Sequence, residues 1–357
     1  MEPQLKFETY LPLGKTDPGI RAPDKAIDLS TLMDDAKQVE DLGYDTLVVE
    51  ETKDDPYQFM ALAAAGTEKL GLATSVAMAF PRAPAITAMS AWSIQRLSKG
   101  RFTLGLGSQV RGHIMRRFGM DYHPAGPWMR DYIGAVRAVW HTWQTGEKLE
   151  FESERYNLSL MVPLFDPGPI DYAPPPIHIA VVNEVMCRIS GECADGMRPH
   201  PVCTPRYIKE VMRPAAERGA EKTGRTLDGF QIAMKPLVAA ARTEEALQSK
   251  IDETRARISF YASTPSYSRP FELHGYGELA AEMAQLSKAQ RWDEMQAKVT
   301  DELYHDFVTV GTYDEIAAKL HERYDDCITN IEFAMPVDNE EDAGALREVI
   351  QDLKRAA

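Results

Sequence analysis

The sequence predicts an α/β protein closed as a TIM-type (β/α)8 barrel, on three observations. Strand-like and helix-like segments alternate from one end of the 357-residue chain to the other. Eight segments read as strands, and seven of them are separated by stretches that contain a helix. No internal repeat divides the chain. Closed α/β barrels run past 250 residues as one unit, so this length suits a single domain over residues 1–357.

The elements follow in order. LKFETYL (5–11) alternates like a strand, and LSTLMDDAKQVEDLGY places Leu32, Ala36, Val39 and Leu42 at helical spacing. DTLVVE reads as a buried second strand, Tyr57 to Gly66 as a helix and GLATSV as strand three. APAITAMSAWSIQRLS is a helix with Gly100 as its C-cap signal, and RFTLGLG is strand four. Two helical pieces follow, Arg111 to Phe118 and Trp128 to Trp143, and KLEFESERYNLS is an excursion from the sheet. After the prolines at 174–176, PIHIAVV is strand five, a helix ends at Gly191, and ADGMRPH is strand six. Thr204 and Pro205 start the next helix. GFQIAMKPLVAAA is strand seven. Residues about 243–305 form an inserted, mostly helical region, and its 259–276 segment is too rich in Ser, Pro and Tyr for a core helix and is expected to be a lid. GTYDEIAAKLHER is a capped helix, and TNIEFAMP is strand eight before a last helix.

Composition excludes several classes. Hydrophobic residues make up 44% and charged residues 26%, which is ordinary for a soluble enzyme. A net charge of −14 argues against a nucleic-acid partner, because phosphate neutralisation needs a basic face. No apolar run approaches the roughly 20 residues of a membrane span, and MEPQLKF lacks the marks of a signal peptide, so the expectation is a cytoplasmic protein without membrane contact. The four cysteines form no C-x-x-C pair and signal neither a disulfide framework nor a metal site. One region departs from the acidic balance. From Arg82 to Arg130 stand eight basic residues against the single acid Asp121, a candidate attractor for a small polyanion.

In a TIM-type barrel the chemistry gathers where strands end. That rule selects Glu50 to Asp54 after strand two, Ser75 to Met78 after three, Ser108 to Val110 after four, Val182 to Glu184 after five, His200 after six and Lys235 after seven. GLGSQV begins like a dinucleotide-binding loop, but Val110 stands where a third glycine is needed, and the segment is fourth in the series. Gly105 and Gly107 therefore read as strand positions that pass close to a ligand or a neighbouring backbone, or as tight barrel packing.

APAITAMSAWSIQRLSKGRFTLGLGSQ with the preceding LGLATSVAMAFPR, PPPIHIAVVNEVMCRISGECADG, VGTYDEIAAKL and EDLGYDTLVVEETKDDP together resemble the bacterial luciferase-like monooxygenase superfamily. The closer resemblance is to its coenzyme F420-dependent oxidoreductase branch. The resemblance implies a TIM barrel, commonly a homodimer, that binds coenzyme F420, or alternatively FMN, at the carboxyl edge. It implies a non-prolyl cis peptide at Ser75–Val76 supporting the ring. It sets Thr52, Ser75, Val76, Met78, Ser108, Gln109, Val110, His113, Val181, Val182, Asn183 and Glu184 around the cofactor. The implied reaction is hydride transfer between F420 and a small organic substrate such as an alcohol, ketone or enone; with FMN it would be oxygenation by reduced flavin and oxygen. Relatives often carry a histidine after strand two and a glutamate after strand four. Here Thr52, Lys53 and Asp54 stand at the first place and Val110 at the second. Glu51, Asp54, His113 and His200 are then the candidates for proton transfer, Glu51 and Asp54 first, because a carboxylate desolvated at a strand edge can be poised near neutrality.

Overall fold

A computed structural model describes residues 5–13, 27–337 and 339–355. Eight strands form the barrel: β1 Lys6–Tyr10, β2 Thr46–Val49, β3 Gly71–Thr74, β4 Phe102–Gly107, β5 Ile177–Val181, β6 Gly196–Pro199, β7 Gln231–Met234 and β8 Asn330–Glu332. Each is parallel to the next in sequence, and β8 pairs with β1 in register from Lys6 opposite Asn330, which closes the ring. The expected (β/α)8 barrel is present. β2 (TLVV) reads as a continuous apolar run because helices cover its outer face.

Local chemistry explains where the helices begin. Asp55 accepts from the Tyr57 N–H ahead of helix Pro56–Gly66, Asn183 accepts from Met186 N–H ahead of Glu184–Cys193, and Thr312 with Glu315 forms a capping box. Gly191 does not end its helix, which continues to Cys193. A Cβ at Gly191 would lie 1.8 Å from the Ala216 carbonyl oxygen, and one at Gly219 would lie 2.0 Å from that of Arg188. The two glycines let neighbouring helices touch backbone to backbone, a tertiary requirement that local pattern reads as a stop.

Strand seven also differs. The barrel ladder stops at Met234, just before Pro236, which has no N–H to continue it, and Leu237–Ala241 turns away to pair with Val308–Thr312 in a separate two-stranded parallel sheet. That sheet and the inserted helices between Glu244 and Phe307 share a second apolar core containing Leu237, Ile258, Phe271, Met283 and Phe307. The Tyr-rich segment is pinned to this core by fully buried Phe271, stacked on Phe307 at 4.4 Å between ring centres, so it is a packed wall at that point. Among the described residues no helix is long and apolar enough to cross a membrane.

Candidate active site

A chamber of about 650 Å³ opens at the carboxyl end of the barrel. Its size is in the range of small-molecule and cofactor pockets. It gathers Glu51, Ser75, Val76, Met78, Ser108, Gln109, Val110, Val181, Val182, Asn183 and His200 from the residues singled out in the sequence. Glu50 and Lys235 line it too, while Thr52, Lys53, Asp54, Ala77, His113 and Glu184 lie outside its lining. Thr52 is exposed, with its carbonyl accepting from Arg117 at 3.4 Å; Asp54 is half-buried; His113 is exposed; and Glu184 is exposed and paired with Arg218.

One side of the chamber is built by β3 and β4. The Ser75–Val76 peptide is cis, as the resemblance implies, and the chain then rejoins the sheet through Ala77–Met78 beside Leu106–Gly107. Gly105 and Gly107 are explained by this arrangement. A Cβ on Gly105 would meet the Thr74 carbonyl oxygen at 1.9 Å, and one on Gly107 would meet Val76 Cγ2 at 2.6 Å. They admit the neighbouring strand rather than a nucleotide. Thr74 ties the two strands together, its hydroxyl donating to the Gly105 carbonyl at 2.7 Å and accepting from the Gly105 N–H at 2.8 Å.

Glu51 holds the same turn from behind. Its carboxylate accepts from the Met78 N–H at 2.6 Å and from the Arg82 guanidinium at 2.7 Å. A carboxylate occupied by these two donors suits a structural role better than proton exchange.

The opposite arc carries charges of which the strand-end rule selected only Glu50 and Lys235. Glu8 and Arg198 form a buried pair at 2.8 Å, Asn330 donates to Glu8 at 2.8 Å, and Arg198 donates to the Ser75 hydroxyl at 3.3 Å. Lys235 bridges Glu50 at 3.0 Å and Glu332 at 3.1 Å, with its ammonium 3.8 Å from the Tyr10 ring centre. Burial alone would lower the Lys235 pKa, but Glu332 and Glu50 outweigh it and hold the ammonium well above its ordinary range. Burial pushes Glu332 up, against the pull of Lys235, and pushes the Tyr10 hydroxyl up to about 12. The signal available in the sequence was a charged residue in the middle of a buried strand. Neither Glu8 nor Arg198 can be buried alone, so each implies the other.

His200 faces the chamber between aromatic rings. It stacks on Tyr267 at 4.0 Å and meets the edge of Tyr261 at 4.8 Å. Burial, with a further push from Lys235, lowers its pKa to about 3, so the ring is neutral. Nδ1 accepts from the Val202 N–H at 3.4 Å, which assigns the proton to Nε2.

The basic segment is divided by the fold. Arg101 precedes β4 at the far end of the barrel, where its guanidinium donates to the Thr67 carbonyl at 2.9 Å and to that of Ala64 at 3.3 Å, while Arg96 and Lys99 end the preceding helix there. Arg82 belongs to Glu51, and Arg130 contacts Glu192 in the outer helical layer at 3.4 Å. Of the segment's basic residues only Arg111 lines the chamber, on the short helix Arg111–Arg116, so the attractor expected of the whole segment reduces to this end of it. The residues fit a flavin-type cofactor. The cis turn and Gly107 give a flat apolar wall, while Arg111 and the start of helix Glu184–Cys193 offer donors for a phosphate.

An α/β barrel with this cis turn beside its chamber defines the class of protein, and comparison defines the family. The model for luciferase-like monooxygenases matches residues 10–330, and the chain belongs to that family. An uncharacterized protein of Mycobacterium tuberculosis is 38% identical over 328 residues, covering 92% of this chain and 95% of that one. A putative coenzyme F420-dependent oxidoreductase of the same organism is 25% identical over 302 residues, covering 79% and 84%. Among solved structures, the coenzyme F420-dependent tetrahydromethanopterin reductase of Methanopyrus kandleri aligns with a TM-score of 0.74 at 19% identity, covering 99% of both chains. The EDTA monooxygenase of Chelativorans aligns with a TM-score of 0.76 at 13% identity, covering 99% of this chain and 94% of that one. These two likenesses concern the fold.

Proposed function

We propose that the chain is an F420-dependent oxidoreductase that moves a hydride between the deazaflavin and a small alcohol, ketone or enone. The observation that carries this reading is the division of one chamber into two arcs. Ser75–Val76, Ser108–Gln109 and Val182–Asn183 come from three consecutive strands and are assigned to the cofactor. His200, Lys235 and the Tyr261–Tyr267 wall face them and are assigned to the substrate. The relative described as a putative F420-dependent oxidoreductase supports the choice of cofactor, and Arg111 in the chamber lining suits its anionic tail.

When bound, the cofactor supplies or accepts the hydride. The chain positions and polarises. His200, neutral with its proton on Nε2, donates a hydrogen bond to the substrate oxygen instead of acting as a base. Its orientation is held by the Val202 N–H and by the Tyr267 stack. The Lys235 ammonium, clamped by Glu50 and Glu332, adds positive potential on the same side. FMN-dependent oxygenation is the second reading, favoured by the barrel shared with a monooxygenase. The homodimer belongs to the proposal as well, and light scattering after size exclusion tests it. Anaerobic mixing of reduced F420 with a panel of ketones and enones tests the reaction. Reoxidation without oxygen is expected, and a strict need for oxygen would overturn the reading.

A further inference from the structure

A second, small cavity of about 60 Å³ adjoins the chamber and shares Lys235, Pro236 and Arg257 with it. Its lining presents three cationic side chains, Lys235, Lys250 and Arg257, against the single carboxylate Glu332. It is roughly a tenth of the chamber's volume, a side recess suited to a head group rather than to the whole of a cofactor.

The three cations are not equally committed. Lys235 bridges two carboxylates at 3.0 and 3.1 Å, and Lys250 meets Glu253 at 3.1 Å. Arg257 has a side chain only 13% exposed, and among the described residues its carboxylate contact runs from Nη2 to the same Glu253 at 3.5 Å, a long and weak bond. A guanidinium has five N–H donors, and a planar pair of them matches a carboxylate in two parallel bonds. Arg257 therefore has donor capacity at the junction of the two cavities. It lies on helix Glu244–Ala262, the same inserted element that brings Tyr261 to the chamber wall.

We propose that Arg257 and the small cavity form a carboxylate subsite, so that the substrate is a small organic acid whose head enters the cavity and whose body lies along Tyr261 and Tyr267. This rests on the chamber being the substrate site of the proposed reaction. Arg257 follows β7, across the barrel from the β3–β5 arc assigned to the cofactor, which places its anion on the substrate. A carboxylate fits better than a phosphate. Glu50, Glu253 and Glu332 already surround the cations, and a second negative charge would meet them.

Binding can be read without turnover. The full chain, with and without F420, is titrated calorimetrically with benzoate and with benzyl alcohol, which share a ring and differ in the acid head. Wild type is expected to bind benzoate at least tenfold more tightly. Arg257→Gln should lose at least tenfold for benzoate and less than twofold for benzyl alcohol. Arg257→Lys, which keeps the charge and drops the planar fork, should fall between wild type and the Gln variant for benzoate. The F420 dissociation constant, followed by fluorescence quenching, should move less than twofold in both variants. Equal affinity of wild type for the two probes overturns the subsite. A tenfold weakening of F420 in Arg257→Gln overturns it too, by giving the guanidinium to the cofactor tail. If F420 does not bind while benzoate discrimination persists, the cofactor assignment fails and the subsite stands.

Discussion

Replacing Arg198 by methionine removes one partner of the most deeply buried ion pair at the chamber floor. The side chains of Arg198 and Glu8 are 6% and 3% exposed, so the stranded carboxylate cannot recover its hydration. Breaking a buried pair in this way costs about 3–5 kcal/mol. Glu8 keeps the Asn330 amide at 2.8 Å, and the lost contact to Ser75 is long at 3.3 Å, which places the expected cost near the lower end, about 3 kcal/mol. With an unfolding entropy of about 2.1 cal/mol/K per residue, the melting temperature of a chain this long should fall by roughly 4 °C. The double variant Glu8→Gln with Arg198→Met tests the cause, because an amide needs hydrogen bonds but no counter-ion. It should recover more than half of the loss, measured by calorimetry and by urea denaturation of all three proteins. A shift below 1 °C for the single variant, or no recovery in the double, would refute the reasoning.

Gly105→Ala should yield little soluble protein in an expression assay, since its Cβ would stand 1.9 Å from the immovable Thr74 carbonyl. Gly107→Ala should fold and bind cofactor more weakly in a quenching titration, because the clash is with the Val76 side chain. Arg82→Met releases Glu51 and the Met78 turn, and cofactor affinity should drop about tenfold while circular dichroism stays native. His200 has a pKa of about 3 when folded against 6.5 for a solvent-exposed imidazole in the unfolded chain, so the unfolded chain takes up its proton first. Stability from this group is full above pH 6.5 and is lost as pH falls toward 3, by up to about 1.4 kcal/mol per pH unit. His200→Asn should flatten that slope in denaturation midpoints at pH 5 and pH 7, and an unchanged slope would contradict the assignment.

Strands such as DTLVVE and PIHIAVV were legible because a strand covered on both faces leaves a short apolar run between turn signals, and LKFETYL by its alternation. The strand ends then selected residues on both sides of the chamber, from Ser75 and Ser108 to His200 and Lys235. What escaped depended on contacts between distant residues. Gly191 and Gly219 answer to neighbouring helices, and Val308–Thr312 becomes a strand only because Leu237–Ala241 lies beside it. The arginines from Arg82 to Arg130 look like one basic segment in the chain, yet the fold sends Arg101 to one end of the barrel and Arg111 to the other. Glu51 stood at the correct strand end, but its occupation by Arg82, 31 residues away, could not be read locally.

Paired fluorescence titrations of the cofactor-free protein with F420 and with FMN test the central claim most directly. F420 should bind at least tenfold more tightly, and its reduced form should be reoxidised by a ketone or enone without oxygen. Tighter binding of FMN, with substrate consumed only when oxygen is present, would contradict the account.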